Sequence, residues 1–266
     1  MGQMKNALHH NGLVARFAYA VQIAVMLFYP ALALAGPDDP TVAGGEVTIT
    51  NPDAATTLIQ QGTDRAIVNW RGFSIDVNEL VQVQQPGAGS VLLNRVTGGD
   101  PSSILGSLVA NGRVFIVNPN GVLFGPGSQI DAAGILATTF KIADADFMGG
   151  NYKFAQDPNA QLAAIINQGE IRVSDGGFVF LVAPAVANEG LIIANLGQVV
   201  LGAGQSLTVD FMGDGLITYE IDGKVMDEVR TADGRRLDSA VSNSGEIQAD
   251  GGTVVLSARA GSKVFQ

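Results

Sequence analysis

The chain has no cysteine, and its histidines, His9 and His10, both stand close to the amino terminus. Disulfide staples are therefore excluded. Beyond the first thirty-five residues, so are Ser-His-Asp and Cys-His nucleophile systems and Cys/His zinc sites. Charged residues (15%) and aromatics (6%) are sparse, whereas glycine numbers 34, a balance that suits short strands and tight turns rather than helices. Positive charge is scarce as well. Setting aside Lys5 and Arg16 leaves 13 basic against 25 acidic residues, a net charge of −12 for residues 36–266. Such a surface repels phosphate backbones and anionic lipid, so nucleic-acid binding is not expected.

One apolar run stands out. Lys5 and Arg16 precede a largely apolar stretch from Phe17 to Leu34, and Ala33-Leu34-Ala35 forms a small-x-small site before Gly36. This pattern is that of a secretory signal peptide, residues 1–35, cleaved between Ala35 and Gly36. The rival reading is a membrane anchor, for which the run is near the lower length limit. Pro30, just before the small-x-small site, is placed where a leader breaks its helix. No later segment is apolar enough to span a bilayer as a helix. Residues 36–266 are long enough for one domain with a substantial core.

The carboxyl half repeats itself. Asn167-Gln-Gly169-Glu-Ile171-Arg-Val173, Asn188-Glu-Gly190-Leu-Ile192-Ile-Ala194 and Asn243-Ser-Gly245-Glu-Ile247-Gln-Ala249 share one pattern, and each is followed by a glycine turn and a second apolar strand. The first two copies are 21 residues apart. A period near 20 with two strands and Asn/Gly corners predicts a parallel β-helix, with inward Ile and Val stacking between coils and an asparagine ladder at one corner. Leucine-rich repeats need an L-x-x-L-x-L pattern that is absent, and an antiparallel sandwich has no reason to echo at this interval. The third copy starts 55 residues after the second. The intervening Ser206–Phe211 and Ile217–Ile221 segments are expected to supply coil strands plus an extra-helical β-hairpin turning at Asp222-Gly223, with Lys224–Asp227 as its return strand. At the amino end, Gly45–Thr50 alternates as a first strand, and Gly45 to about Thr63 is the expected cap. Ile104–Ala110 is open between a short helix, a strand and a turn.

The most distinctive segment is Asn118-Pro119-Asn120-Gly121, between the apolar flanks Val114–Val117 and Val122–Phe124. Pro119 suits the second position of a tight turn, and Asn120 and Gly121 tolerate positive φ. On its own the tetrapeptide is equally a hairpin turn with no further role. Its context is more specific. Ile67-Val-Asn-Trp70-Arg-Gly-Phe73-Ser-Ile75, Val81–Pro86, Leu93-Asn94-Arg95-Val96-Thr-Gly98 and Ser103–Gly112 precede it in order. Together these blocks resemble the two-partner secretion (TPS) domain of filamentous-haemagglutinin-type exoproteins, and the tetrapeptide resembles that family's NPNL/NPNG secretion motif.

The resemblance implies a right-handed β-helix, export to the periplasm by the general secretory route, and passage through an outer-membrane β-barrel whose POTRA domains recognise the client. It carries the secretion motif onto Asn118, Pro119, Asn120 and Gly121, and implies a secreted or cell-surface protein of a Gram-negative bacterium, of adhesin or haemagglutinin type, with no cofactor, metal or catalytic role. Alanine at Asn118 or Asn120 is expected to retain the protein in the periplasm with the fold largely intact. The missing cysteines accord with threading a pore unfolded, and equally with compositional bias. Such exoproteins usually continue into further coils, and this chain stops at Gln266 without a polar cap, which is the expectation for a fragment or truncated product. The alternative is a β-helical polysaccharide lyase or hydrolase, with or without Ca²⁺, built on Asp210, Asp214, Asp222, Asp227 and Glu228. A structural adhesin acting alone is a third reading.

Overall fold

The computed structural model describes residues 36–211, 217–231 and 234–261; the expected leader, including Ala33 and Ala35, lies outside the described residues. The chain is almost entirely β and winds as a parallel β-helix with three faces. One rung shows the plan. Arg113–Val117 lies on the first face, Val122–Phe124 on the second and Gln129–Ala132 on the third. The next rung begins with Gly134–Thr138, laid parallel on Arg113–Val117 in the pairing Arg113↔Gly134. The first and third faces contain eight strands each and the second five.

The interior follows from alternation. On the third face, Gln129–Ala132 and Glu170–Val173 bury every second residue. The register then aligns Val81, Leu108, Ile130, Ile171, Ile192 and Ile247 in one column, each on its parallel neighbour. Burying each such aliphatic side chain contributes about 1.5–3 kcal/mol. The asparagine ladder is present: Asn167 Nδ2 donates to Asn188 Oδ1 at 2.7 Å, and Asn188 Nδ2 to Asn243 Oδ1 at 2.6 Å. The third repeat is thus the rung directly above the second.

That pairing corrects the expected use of the 55 residues between them. Ser206–Phe211 and Ile217–Asp222 supply no coil strand; they pair antiparallel with each other. Ser206–Phe211 also pairs with Tyr152–Ala155, making a three-stranded sheet outside the helix. The hairpin therefore does not turn at Asp222-Gly223. Gly223 has the positive φ (+76°) that the local sequence predicts, but Lys224–Asp227 is no return strand, and Val225 instead bridges in parallel to Ala260.

The external sheet explains why the first-face strands Gly134–Thr138 and Phe178–Ala183 are buried along their whole length. Phe115, Phe178 and Phe180 point away from the helix interior and pack against Phe147, Tyr152, Phe154, Leu207 and Ile221 of the two excursions. A strand covered on both sides reads as a continuous apolar run instead of an alternating one.

The cap starts earlier than expected. Thr41–Gly44 runs antiparallel to Arg65–Trp70 and Val47–Thr50 antiparallel to Thr56–Gln61, so the reversal closes the first rung on two faces. Thr56–Gln61 itself already belongs to the parallel stack. In the open segment, Ile104 ends one strand and Ser107–Ala110 forms another.

Candidate secretion-motif corner

Asn118–Gly121 joins the first face to the second. Because its flanking strands lie in different sheets, it is a corner of the helix and not a hairpin. Gly121 N donates to Asn118 O at 3.1 Å, closing a four-residue turn. Gly121 alone in the motif has positive φ, +107°. Asn120 keeps negative φ, so of the two residues that tolerate the left-handed region only Gly121 uses it.

The two asparagines do different work. Asn118 is fully buried. Its Nδ2 donates to Asp100 O and Ser102 Oγ, both at 3.0 Å, in the rung beneath. Its Oδ1 accepts from Asn120 N at 2.9 Å and from Asn120 Nδ2 at 3.2 Å. Asn118 thus ties its own turn together and ties that turn to the preceding rung. Asn120 is half-exposed, and its Nδ2 donates to Gly98 O at 3.0 Å. Pro119 is half-exposed beside it. At Gly121 an added Cβ would meet Ala164 O at 2.9 Å, so the rung above also presses on the corner. The sequence offered no local signal for Ser102 and Gly98 as partners, since they come from the preceding rung.

The neighbouring blocks of the resemblance are bonded to one another as well. Trp70 Nε1 donates to Asn94 Oδ1 at 3.1 Å in the interior, and Arg95 Nη1 donates to Asn69 Oδ1 at 3.2 Å.

A model of the TPS secretion domain matches residues 33–266. The chain belongs to that family. Among curated relatives, a heme/hemopexin-binding protein of Haemophilus influenzae (strain Rd) is 35% identical over 230 residues, 84% of this chain but 24% of the relative. A second heme/hemopexin-binding protein of H. influenzae is 40% identical over 112 residues, 42% of this chain and 12% of the relative. The chain therefore spans about a quarter of the length of the longer match. The crystal structure of the HMW1 secretion domain from H. influenzae superposes with a TM-score of 0.69 at 33% identity, covering 83% of this chain and 62% of that one.

In this TPS secretion domain the corner stands between two depressions. One, of about 500 Å³, is lined by Arg95, Val117, Pro119, Asn120, Lys141 and Ile142. The other, of about 350 Å³, is lined by Pro101, Pro119, Asn120, Leu162, Glu228 and Arg230. Lys141 lies where the first excursion leaves the stack and Leu162 where it returns, so the excursion frames the motif on both sides. The charges lining them are paired internally. Arg95 meets Asp144 at 2.6 Å, Lys141 meets Asp157 at 2.7 Å, and Glu228 meets Arg230 at 2.8 Å and Arg236 at 3.1 Å. The hydrogen bond from Lys141, and then that from Asn159 N–H, hold the Asp157 carboxyl below the usual carboxylate range. Such pairing shapes a surface; it does not poise an acid and a base.

The acidic residues of the alternative reading do not assemble. Asp210 and Asp222 lie at opposite ends of the Ser206–Phe211/Ile217–Asp222 pair. Asp222 faces Arg259 at 3.8 Å, and Glu228 lies in the depression beside Pro119. Asp214 is outside the described residues. Among the described residues, no group of three or more His, Cys, Asp or Glu side chains is placed to hold a metal ion. At the expected leader junction, Gly36 is the first described residue, half-buried beside the Glu79 carboxylate.

Proposed function

We propose that this chain is the export passport of a two-partner-secreted exoprotein and carries out no catalysis itself. The leader is removed between Ala35 and Gly36 after passage by the general secretory route. In the periplasm, Pro119 and Asn120 present the Asn118–Gly121 corner to the POTRA domains of an outer-membrane β-barrel transporter, and the β-helix folds outside the cell, leaving the exoprotein secreted or at the surface. The observation that carries this reading is the division of labour at the corner. Asn118 spends its whole hydrogen-bonding capacity inside the fold, while Pro119 and Asn120 stand half-exposed between two depressions. The test is co-expression with the cognate transporter: Asn120→Ala is expected to accumulate in the periplasm while the melting temperature of the purified variant falls by only a few degrees, and normal secretion of that variant removes the motif's assigned role.

Stepwise folding supplies a direction. A rung touches only its neighbours, and at about 0.05–0.15 kcal/mol per residue a rung of about 20 residues contributes roughly 1–3 kcal/mol, more than thermal energy. Each rung completed outside opposes back-sliding.

For the exoprotein as a whole, the filamentous-haemagglutinin resemblance favours an adhesin. The 35% identity to a heme/hemopexin-binding protein favours a second reading, capture of a heme carrier. Residues 36–266 contain neither His nor Cys, the commonest heme-iron ligands, so iron ligation by such side chains would have to lie in other parts of the exoprotein. Pull-down of hemopexin against pull-down of host-cell membranes by the full exoprotein separates the two.

A further inference from the structure

Among the described residues, every arginine has a carboxylate oxygen within 3.9 Å except Arg65 and Arg113. In a chain with this acidic excess, two unmatched guanidinium groups stand out, and both open onto one depression of about 440 Å³ where the third face turns into the first. Arg113 is half-buried, with its guanidinium carbon 4.5 Å from the centroid of the Phe211 ring and 5.9 Å from that of Phe178. Burial pushes its pKa down, partly offset by Tyr152, yet a guanidinium stays charged. Arg65 Nε donates to the Tyr152 hydroxyl at 3.1 Å, which fixes the second cation across the pocket. A half-desolvated cation with unmet donors is unfavourable alone and becomes favourable once a carboxylate engages its fork of N–H groups.

The pocket does not end at Arg113. A second depression, of about 240 Å³, shares Gly89, Arg113 and Phe211 with the first and continues past Gly176 and Ile217. Arg113 therefore stands midway along a trough walled by glycine-rich corners on one side and the external sheet on the other. We infer that this trough binds an extended acidic polypeptide segment, one Asp or Glu side chain of which pairs with Arg113 and Arg65. An acidic saccharide fits less well. The Phe211 ring carries the Arg113 guanidinium, and Tyr152 and Phe178 are buried, so no lining aromatic ring is left open for a sugar. Asp64 and Asp210 also line the pocket and set its selectivity, admitting a single carboxylate while repelling a polyanion. This trough lies at a different corner from Asn118–Gly121 and stands whether or not that motif meets a transporter.

The test uses the purified chain and two fluorescently labelled peptides, acetyl-Gly-Ile-Glu-Ile-Gly and its uncharged Gln counterpart, read by polarisation. The Glu peptide is expected to bind on the order of tenfold more tightly, because a hydrogen bond to a charged partner is worth that factor or more. Arg113→Gln abolishes the difference, and Arg65→Gln reduces it. The Asp64→Asn/Asp210→Asn double variant, altered at exposed positions, tightens binding of the Glu peptide. Equal affinities, no binding of either peptide at millimolar concentration, or a preference that survives Arg113→Gln overturns the proposal. Stronger binding by a tetragalacturonate competitor overturns the choice of polypeptide over saccharide. Should Arg113→Gln fail to fold by circular dichroism, Arg65→Gln and the double Asp variant decide the matter.

Discussion

Asn118→Ala and Asn120→Ala alter neighbouring residues of one tetrapeptide, and the structure predicts different outcomes for them. Truncating Asn118 strands Ser102 Oγ in a fully buried position and removes the acceptor for Asn120 N–H and a donor for Asp100 O. Each buried polar group left unpaired costs about 1–3 kcal/mol, and water can reach some of those near Asp100 and Asn120, so the sum is about 2–4 kcal/mol. For a domain of this size that lowers the melting temperature by roughly 5–15 °C. Truncating Asn120 loses two half-exposed bonds, to Gly98 O and to Asn118 Oδ1, while Asn118 Oδ1 keeps Asn120 N–H, a loss of about 0.5–1.5 kcal/mol. The assay pairs thermal melting of each purified variant with its distribution between periplasm and medium. Asn118→Ala is expected to fail on both counts and Asn120→Ala on export alone. Equal shifts in melting temperature for the two variants refute the hydrogen-bond argument. The sequence-based expectation that both substitutions spare the fold is therefore kept as a prediction for Asn120 and revised for Asn118, whose burial no local signal announced.

Gly121→Ala combines a φ of +107° with a Cβ at 2.9 Å from Ala164 O and should destabilise by about 1–3 kcal/mol, read by chemical denaturation. Asn188→Ala interrupts the ladder in its middle, unpairing Asn167 and Asn243, and is expected to cost about 2–3 kcal/mol in the same measurement. Ile192→Ser places a hydroxyl in the third-face column; if stepwise folding drives export, it slows release into the medium in a pulse-chase, and an unchanged rate disproves the ratchet. The depressed Asp157 carboxyl contributes stability that is present above the ordinary carboxylate pKa and lost as pH falls through the lowered value. Asp157→Asn should therefore lower stability slightly at neutral pH, where that contribution is present, and leave it unchanged in strong acid, so that the acid limb of stability against pH flattens.

The β-helix was legible because its rules are local and repeated. Asn167, Asn188 and Asn243 announced a ladder, and the alternation around Ile171 and Ile192 announced an inward column. The external sheet was not legible, because Tyr152–Ala155 meets Ser206–Phe211 across intervening rungs and no periodicity links them. Asp222-Gly223 misled for a related reason. The dipeptide does set a left-handed glycine, but whether a chain reverses there depends on the strand that follows finding a partner, and Val225 finds Ala260. The motif was found by its residues, yet its geometry was not. Strands flanking a tight turn pair with each other in a hairpin, whereas here each had a closer neighbour one rung away.

Both excursions depart where first-face strands end, after Thr138 and after Ala203, and the rungs on either side still pair residue for residue. That edge behaves as a loading dock. Passenger sequence added there changes the cargo and not the pitch of the screw, whereas a single residue added within a strand turns its inward side chains out to water.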